Sequence, residues 1–125
     1  MKQGKLRVLV VEDEYLLADY IADVIEEAGH EVVGCAPSGE IAIEMLSHSQ
    51  IDVAILDIKL KGEMTGIDVA QETHKRAIPH IFISGSGDPS TRAKADSTQP
   101  VGFLQKPFSD ASLVALLASV LARTG

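Results

Sequence analysis

The sequence predicts an α/β fold, a doubly wound three-layer sandwich, on three observations. Apolar runs rich in β-branched residues alternate five times with segments of helical period, the pattern of parallel strands joined by crossover helices. One run, Val53-Ala54-Ile55-Leu56, is apolar at every position, as a strand covered on both faces must be. The chain of 125 residues suffices for one core and has no room for a second. Right-handed crossovers then stack helices on both faces of a single sheet.

Leu6-Arg7-Val8-Leu9-Val10-Val11 forms the first strand. The helix after it sets Leu16, Leu17, Tyr20, Ile21, Val24, Ile25 and Ala28 inward at three-and-four spacing and stops before Gly29. Residues 31–35 read as the second strand, and Ser38 caps a helix with Ile41, Ala42, Met45 and Leu46 inward. The third strand delivers Asp57 at its end. A third helix spans 66–77, Ile81-Phe82-Ile83 is the fourth strand and Val101-Gly102-Phe103-Leu104 the fifth. Residues 88–99 are poor in apolar side chains and rich in Ser, Thr, Asp and Ala, which predicts a fourth helix that is short or mobile. The last helix, 111–123, turns Leu113, Leu116, Leu117, Val120 and Leu121 inward. Neither a linker nor a low-complexity segment interrupts the alternation.

Composition narrows the function. A chain that is 46% hydrophobic and 23% charged has the balance of an ordinary globular protein, and no apolar run approaches the ~20 residues of a membrane span. Met1-Lys2-Gln3-Gly4-Lys5 leads into the first strand without the cleavage site of an export signal, so a cytoplasmic location away from membranes is expected. The single cysteine, Cys35, cannot form an internal disulfide, which suits a reducing compartment, and reads as a buried structural thiol. A net charge of −7 with 11 basic residues argues against a nucleic-acid surface and leaves protein as the expected partner. His30, His48, His74 and His80 lack ligand spacing and read as surface or turn residues, as Gly85 and Gly87 read as turn residues.

Ligands of doubly wound folds bind outside the carboxyl ends of the strands. Strand one ends in Glu12-Asp13, strand three in Asp57, strand four in Ser84 and strand five, one residue on, in Lys106. Taken singly, each has an ordinary explanation; an acidic pair there is often a solvated loop or a favourable charge at a helix start. Their joint arrival at four strand ends carries the weight. Three converging carboxylates repel one another, and burial without a cation raises their pKa values. A divalent metal resolves the conflict, and an all-oxygen donor set favours Mg²⁺, with Mn²⁺ as a substitute. The same residues suit phosphoryl transfer: Asp57 as nucleophile, a metal held by Glu12, Asp13 and a carbonyl of segment 57–59, Lys106 as counter-charge and Ser84 as hydrogen-bond donor.

As a set, Val10-Val11-Glu12-Asp13-Glu14, Ile55-Leu56-Asp57, Ile83-Ser84-Gly85 and Phe103-Leu104-Gln105-Lys106-Pro107-Phe108 resemble the receiver domains of two-component response regulators, of the stand-alone single-domain type. The resemblance covers residues 6 to about 121, so one receiver domain over 5–123 with no output domain is expected. It implies a flavodoxin-like sheet of five parallel strands in the order 2-1-3-4-5 and a cis bond before Pro107. Asp57 then looks like the phosphoacceptor, served by a histidine kinase or phosphotransfer protein. The metal ligands would be Glu12, Asp13, Asp57 and the backbone carbonyl of Lys59, with Lys106 contacting phosphate, Ser84 the switch hydroxyl and Phe103 the switch aromatic. Such a domain catalyses its own phosphorylation and dephosphorylation, without an outside substrate. It signals through the face of the fourth helix, strand five and last helix, to a downstream protein or a second copy of itself.

The segment from Ile58 to Gly66 is one residue longer than the commonest receiver pattern and lacks its methionine-proline pair. It resembles a receiver subgroup frequent among stand-alone regulators, and it puts Lys59 where the family tunes phosphoryl lifetime. Three other readings compete. A phosphatase with an aspartate nucleophile would want an acid two residues on, where Lys59 stands; a flavodoxin would want a phosphate-cradling loop where acidic Glu12-Asp13-Glu14 stands. A receiver-like interaction module that is never phosphorylated is the remaining alternative.

Overall fold

The computed structural model describes residues 4–85 and 88–124; Met1-Lys2-Gln3, on which the export-signal expectation partly rests, and Gly87 lie outside them. The elements run β1 (Arg7–Val11), α1 (Tyr15–Glu27), β2 (Glu31–Ala36), α2 (Gly39–His48), β3 (Val53–Asp57), α3 (Gly66–Lys75), β4 (His80–Ser84), α4 (Pro89–Asp96), β5 (Gly102–Gln105) and α5 (Asp110–Thr124). Every strand pairing is parallel, and the order is β2-β1-β3-β4-β5, as expected. Period-two alternation divides the core in two. Val8, Val10, Ile55 and Ile83 meet α1 and α5, while Leu9, Leu56 and Phe82 meet α2, α3 and α4. The third strand is buried at all five positions, which explains its unbroken apolar run. No helix among the described residues is long and apolar enough to cross a membrane.

The helices correct several expectations. On α1, Ala18, Ile21, Val24 and Ile25 face the sheet, but Leu16 is 81% and Tyr20 46% exposed. These two lie four residues apart on a stripe turned about 100° from Leu17 and Ile21, so the apolar face is wider than the surface covering it. On α2, Ser38 Oγ accepts from the Ile41 amide at 3.2 Å, as a cap should. The Ile41 side chain is exposed, and Ile43 packs against the core instead. The third helix stops at Lys75 because Ala77 turns the chain out at φ 58°. The fourth is short, as expected, with eight residues.

Three further expectations fail for reasons of position in the sheet. Cys35 is exposed, because β2 is an edge strand whose side chains alternate outward. His30 is buried, its Nδ1 accepting from the Leu6 amide at 3.0 Å. His80 is buried as well, as the first residue of a strand with neighbours on both sides. Its Nδ1 meets Thr73 Oγ1 at 3.1 Å and its Nε2 meets Thr98 Oγ1 at 2.9 Å.

Burial holds the His80 imidazole down to about 4, from an ordinary 6.5. The unfolded chain therefore binds this proton first as pH falls. The His80 contribution to stability is complete above pH ~6.5, declines towards pH ~4, and amounts to about 3 kcal/mol in all. Urea titrations of the protein and of His80→Gln across that range should show the stability gap between them narrowing as the solution is acidified. A gap independent of pH would disprove this assignment.

Candidate functional site

Because the strands are parallel, β1, β3, β4 and β5 all stop at the same edge of the sheet. Asp57 and Ser84 are the last residues of β3 and β4, Glu12 follows β1, and Lys106 follows β5. The Lys106 amide donates to the Ser84 carbonyl at 2.8 Å, which fixes where the lysine leaves the sheet. All five predicted polar residues meet at this edge. Asp13, Asp57, Ser84, Gly85 and Lys106 line one open cleft, with Glu12 buried at its base.

Lys106 Nζ donates to Asp57 Oδ2 at 2.9 Å and to Glu12 Oε1 at 3.4 Å. The Lys59 amide donates to Asp57 Oδ1 at 3.1 Å, so both oxygens of this carboxylate are held. Glu12 Oε2 accepts from the Glu14 amide and Asp13 Oδ2 from the Lys61 amide, each at 3.0 Å. Burial is the largest influence on Glu12. It raises the pKa to about 7 against the Glu14 amide, helped by the neighbouring charge of Asp57. Burial also works against the Lys106 ammonium, yet Asp57 and then Glu12 outweigh it and leave its pKa above the ordinary value.

One ammonium cannot balance three carboxylates. Glu12, Asp13 and Asp57 each offer an oxygen, and these lie within 4.8 Å of one another. Three clustered carboxylates, the most buried of them raised in pKa by its burial and next by the charge of Asp57, with oxygen donors only, fit a hard divalent cation such as Mg²⁺. Behind the cleft, α3 begins against the loop that follows Asp57. The Gly66 amide donates to the Ile58 carbonyl at 2.8 Å, and Thr65 and Asp68 cap the helix reciprocally.

The family model of the response regulator receiver domain matches residues 8–118. The chain belongs to that family. Membership places this receiver domain in two-component, phosphorylation-based signalling. It is 31% identical over 118 residues to the transcriptional regulatory protein PdtaR of Mycobacterium tuberculosis, an alignment covering 94% of this chain and 57% of the relative. Against the two-component response regulator PhoP of Pseudomonas aeruginosa the identity is 30%, over 95% of this chain and 53% of that one. The receiver chain thus spans about half the length of these curated relatives. Among solved structures, the receiver domain of a modulated diguanylate cyclase from Desulfovibrio desulfuricans G20 superposes with a TM-score of 0.89 at 30% identity, over 94% of both chains.

The Lys106-Pro107 bond of this receiver domain is cis, as the resemblance implied. Phe103 stands apart from the cleft, half-buried on β5 with its ring centre 6.0 Å from that of Phe82. Sequence reasoning passed over Glu14, whose Oε1 comes within 4.0 Å of Lys106 Nζ although it continues the acidic run. It also passed over the backbone amides of Lys59 and Lys61, which no side-chain pattern signals. Arg92, whose guanidinium carbon lies 3.8 Å above the Phe103 ring centre, was likewise missed.

Proposed function

We propose that this receiver domain accepts a phosphoryl group on Asp57 from the phosphohistidine of a histidine kinase or phosphotransfer protein, in a step that requires Mg²⁺. It then signals through the face made by α4, β5 and α5. The observation that carries the reading is Asp57 itself, a carboxylate at the end of a central strand, open to the cleft and in contact with the Lys106 ammonium. In transfer, an Asp57 oxygen forms a bond to phosphorus while the phosphorus–nitrogen bond of the donor breaks. The electron pair leaves with the imidazole, which then takes up a proton.

In this reading Lys106 moves its ammonium from the carboxylate to a phosphoryl oxygen as charge spreads there and Ser84 donates its hydroxyl to another, roles supported by the Lys106–Asp57 contact and by the cleft both residues line. Mg²⁺ held by Glu12, Asp13, Asp57 and the Lys59 carbonyl, or Mn²⁺ in its place, would neutralise the remaining oxygens. Tyr15 and Leu16, 77% and 81% exposed on the first turn of α1 and next in the chain to cleft-lining Glu14, offer exposed side chains for a donor protein to cover. In this reading residues 5–123 work as one cytoplasmic unit, and a downstream protein or a second copy reads the α4–β5–α5 face.

Intact-mass measurement with a small phosphodonor tests the proposal. One labile phosphoryl adduct should form with Mg²⁺ and fail to form with a chelator. Labelling that survives metal removal would sink the scheme, and a domain that takes no label under any condition would be the interaction module instead. The native site should bind Mg²⁺ in the millimolar to sub-millimolar range, since few protein ligands and retained waters give modest affinity. Asp13→Asn removes one of the clustered carboxylates and should weaken binding by about tenfold, as calorimetric titration would show. Unchanged affinity would mean the metal sits elsewhere.

A further inference from the structure

The fourth helix is attached to the sheet unlike the others. Ala95 is its one buried residue, so apolar burial contributes little to holding it. Two polar contacts take that place. In the first half of the helix, the Arg92 guanidinium lies over Phe103 at 3.8 Å, and its Nε is held at 3.2 Å by Asp96 one turn on. Beyond the end of the helix, buried Thr98 meets His80 Nε2, whose other ring nitrogen meets buried Thr73. The two contacts differ in what their loss costs. Parting Thr98 from His80 would strand the buried His80 Nε2, while Thr98 keeps its bond to the Ala95 carbonyl, whereas Arg92, half exposed, exchanges its contact for water.

We propose that Arg92 is the positioning residue that holds Phe103 in its half-buried resting place. The fourth helix is then a lever released at Arg92 and hinged on His80 through Thr98. The inference rests on the reading of Phe103 as the switch aromatic. A ring that turns into the sheet end beside Ser84 leaves the guanidinium behind, so the cation–π contact belongs to the resting arrangement alone. An exposed contact of this kind biases a two-state equilibrium by about two- to fivefold. By linkage, removing it strengthens whatever favours the other state by the same factor.

The protein contains three phenylalanines, Phe82, Phe103 and Phe108, and fluorine NMR of 4-fluorophenylalanine-labelled protein can follow all of them. In Arg92→Gln without any ligand, the Phe103 resonance should move towards the position that Mg²⁺ and beryllofluoride produce in the native domain. Beryllofluoride should bind about two- to fivefold more tightly. Arg92→Lys, which keeps a cation, should fall between. Hydrogen exchange of the native domain with beryllofluoride should lose protection at residues 91–94 and keep it at 97–99.

A ligand-free Phe103 resonance unaltered in Arg92→Gln would overturn the proposal, as would identical behaviour of the Gln and Lys variants. Loss of protection along the whole helix would overturn the hinge. If bound beryllofluoride left Phe103 unmoved in the native domain, the switch reading of Phe103 would fall instead. The ligand-free comparison would still decide whether Arg92 positions the ring.

Discussion

Phosphoryl incorporation is expected to stop in Asp57→Asn, falling at least about 10³-fold below the native domain. The substitution is nearly isosteric, and the new amide oxygen can still accept from the Lys59 amide, so the loop after β3 keeps its tether. What disappears is the charge. A neutral amide oxygen is a poor nucleophile, and Lys106 keeps Glu12 as its close anionic partner. A second readout is independent of the phosphodonor. Burial is the main cause of the raised Glu12 pKa, but the Asp57 charge adds to it, so Glu12 should titrate lower in Asp57→Asn, as carbon NMR of its carboxyl would register. A labile adduct that persisted in Asp57→Asn under Mg²⁺ would place the acceptor at another residue. An unchanged Glu12 titration would contradict the electrostatic picture of the cleft even if labelling were lost.

The parts of this molecule that are legible in its sequence are those fixed by period and position. Alternating runs gave the strands within a residue or so, because each strand of a parallel sheet buried on both faces needs nearly unbroken apolar character, as Val53 to Leu56 shows. Parallel strands force their carboxyl ends together, and that geometry is why the grouping of Glu12, Asp13, Asp57, Ser84 and Lys106, drawn from four strand ends, is legible in the sequence. Period alone does not say how much of an apolar stripe a neighbour covers, so Leu16, Tyr20 and Ile41 were placed inward and lie outward. Residue type alone misleads where a polar group has partners. His80 is buried because Thr73 and Thr98 occupy both ring nitrogens, and those partners come from segments 7 and 18 residues away. Cys35 shows the converse, an often-buried residue type left exposed by an edge strand.

Gly66→Ala should be the most destabilising single-methyl change around the cleft, costing at least about 3 kcal/mol. As the first residue of α3 it needs no left-handed φ, so the cost is steric and not conformational. A Cβ there would stand 1.9 Å from the Asp57 carbonyl oxygen, 2.7 Å from its carbon and 2.9 Å from the Ile58 Cα. All three are backbone atoms, and no side-chain rotation can relieve the clash. The start of α3 would have to lift, breaking the hydrogen bond from the Gly66 amide to the Ile58 carbonyl, or the loop after β3 would have to move. That loop carries the Lys59 amide onto Asp57 Oδ1, so either movement also disturbs the proposed acceptor, and phosphoryl incorporation should fall along with stability. Gly85→Ala is the matched control. Its Cβ would come no closer than 3.9 Å to a neighbour, the flexible Lys106 Cδ, and its stability should stay within about 0.5 kcal/mol of the native domain. Denaturant unfolding of the two variants makes the comparison, and a Gly66→Ala protein as stable as Gly85→Ala would show that α3 does not pack this tightly on the acceptor loop.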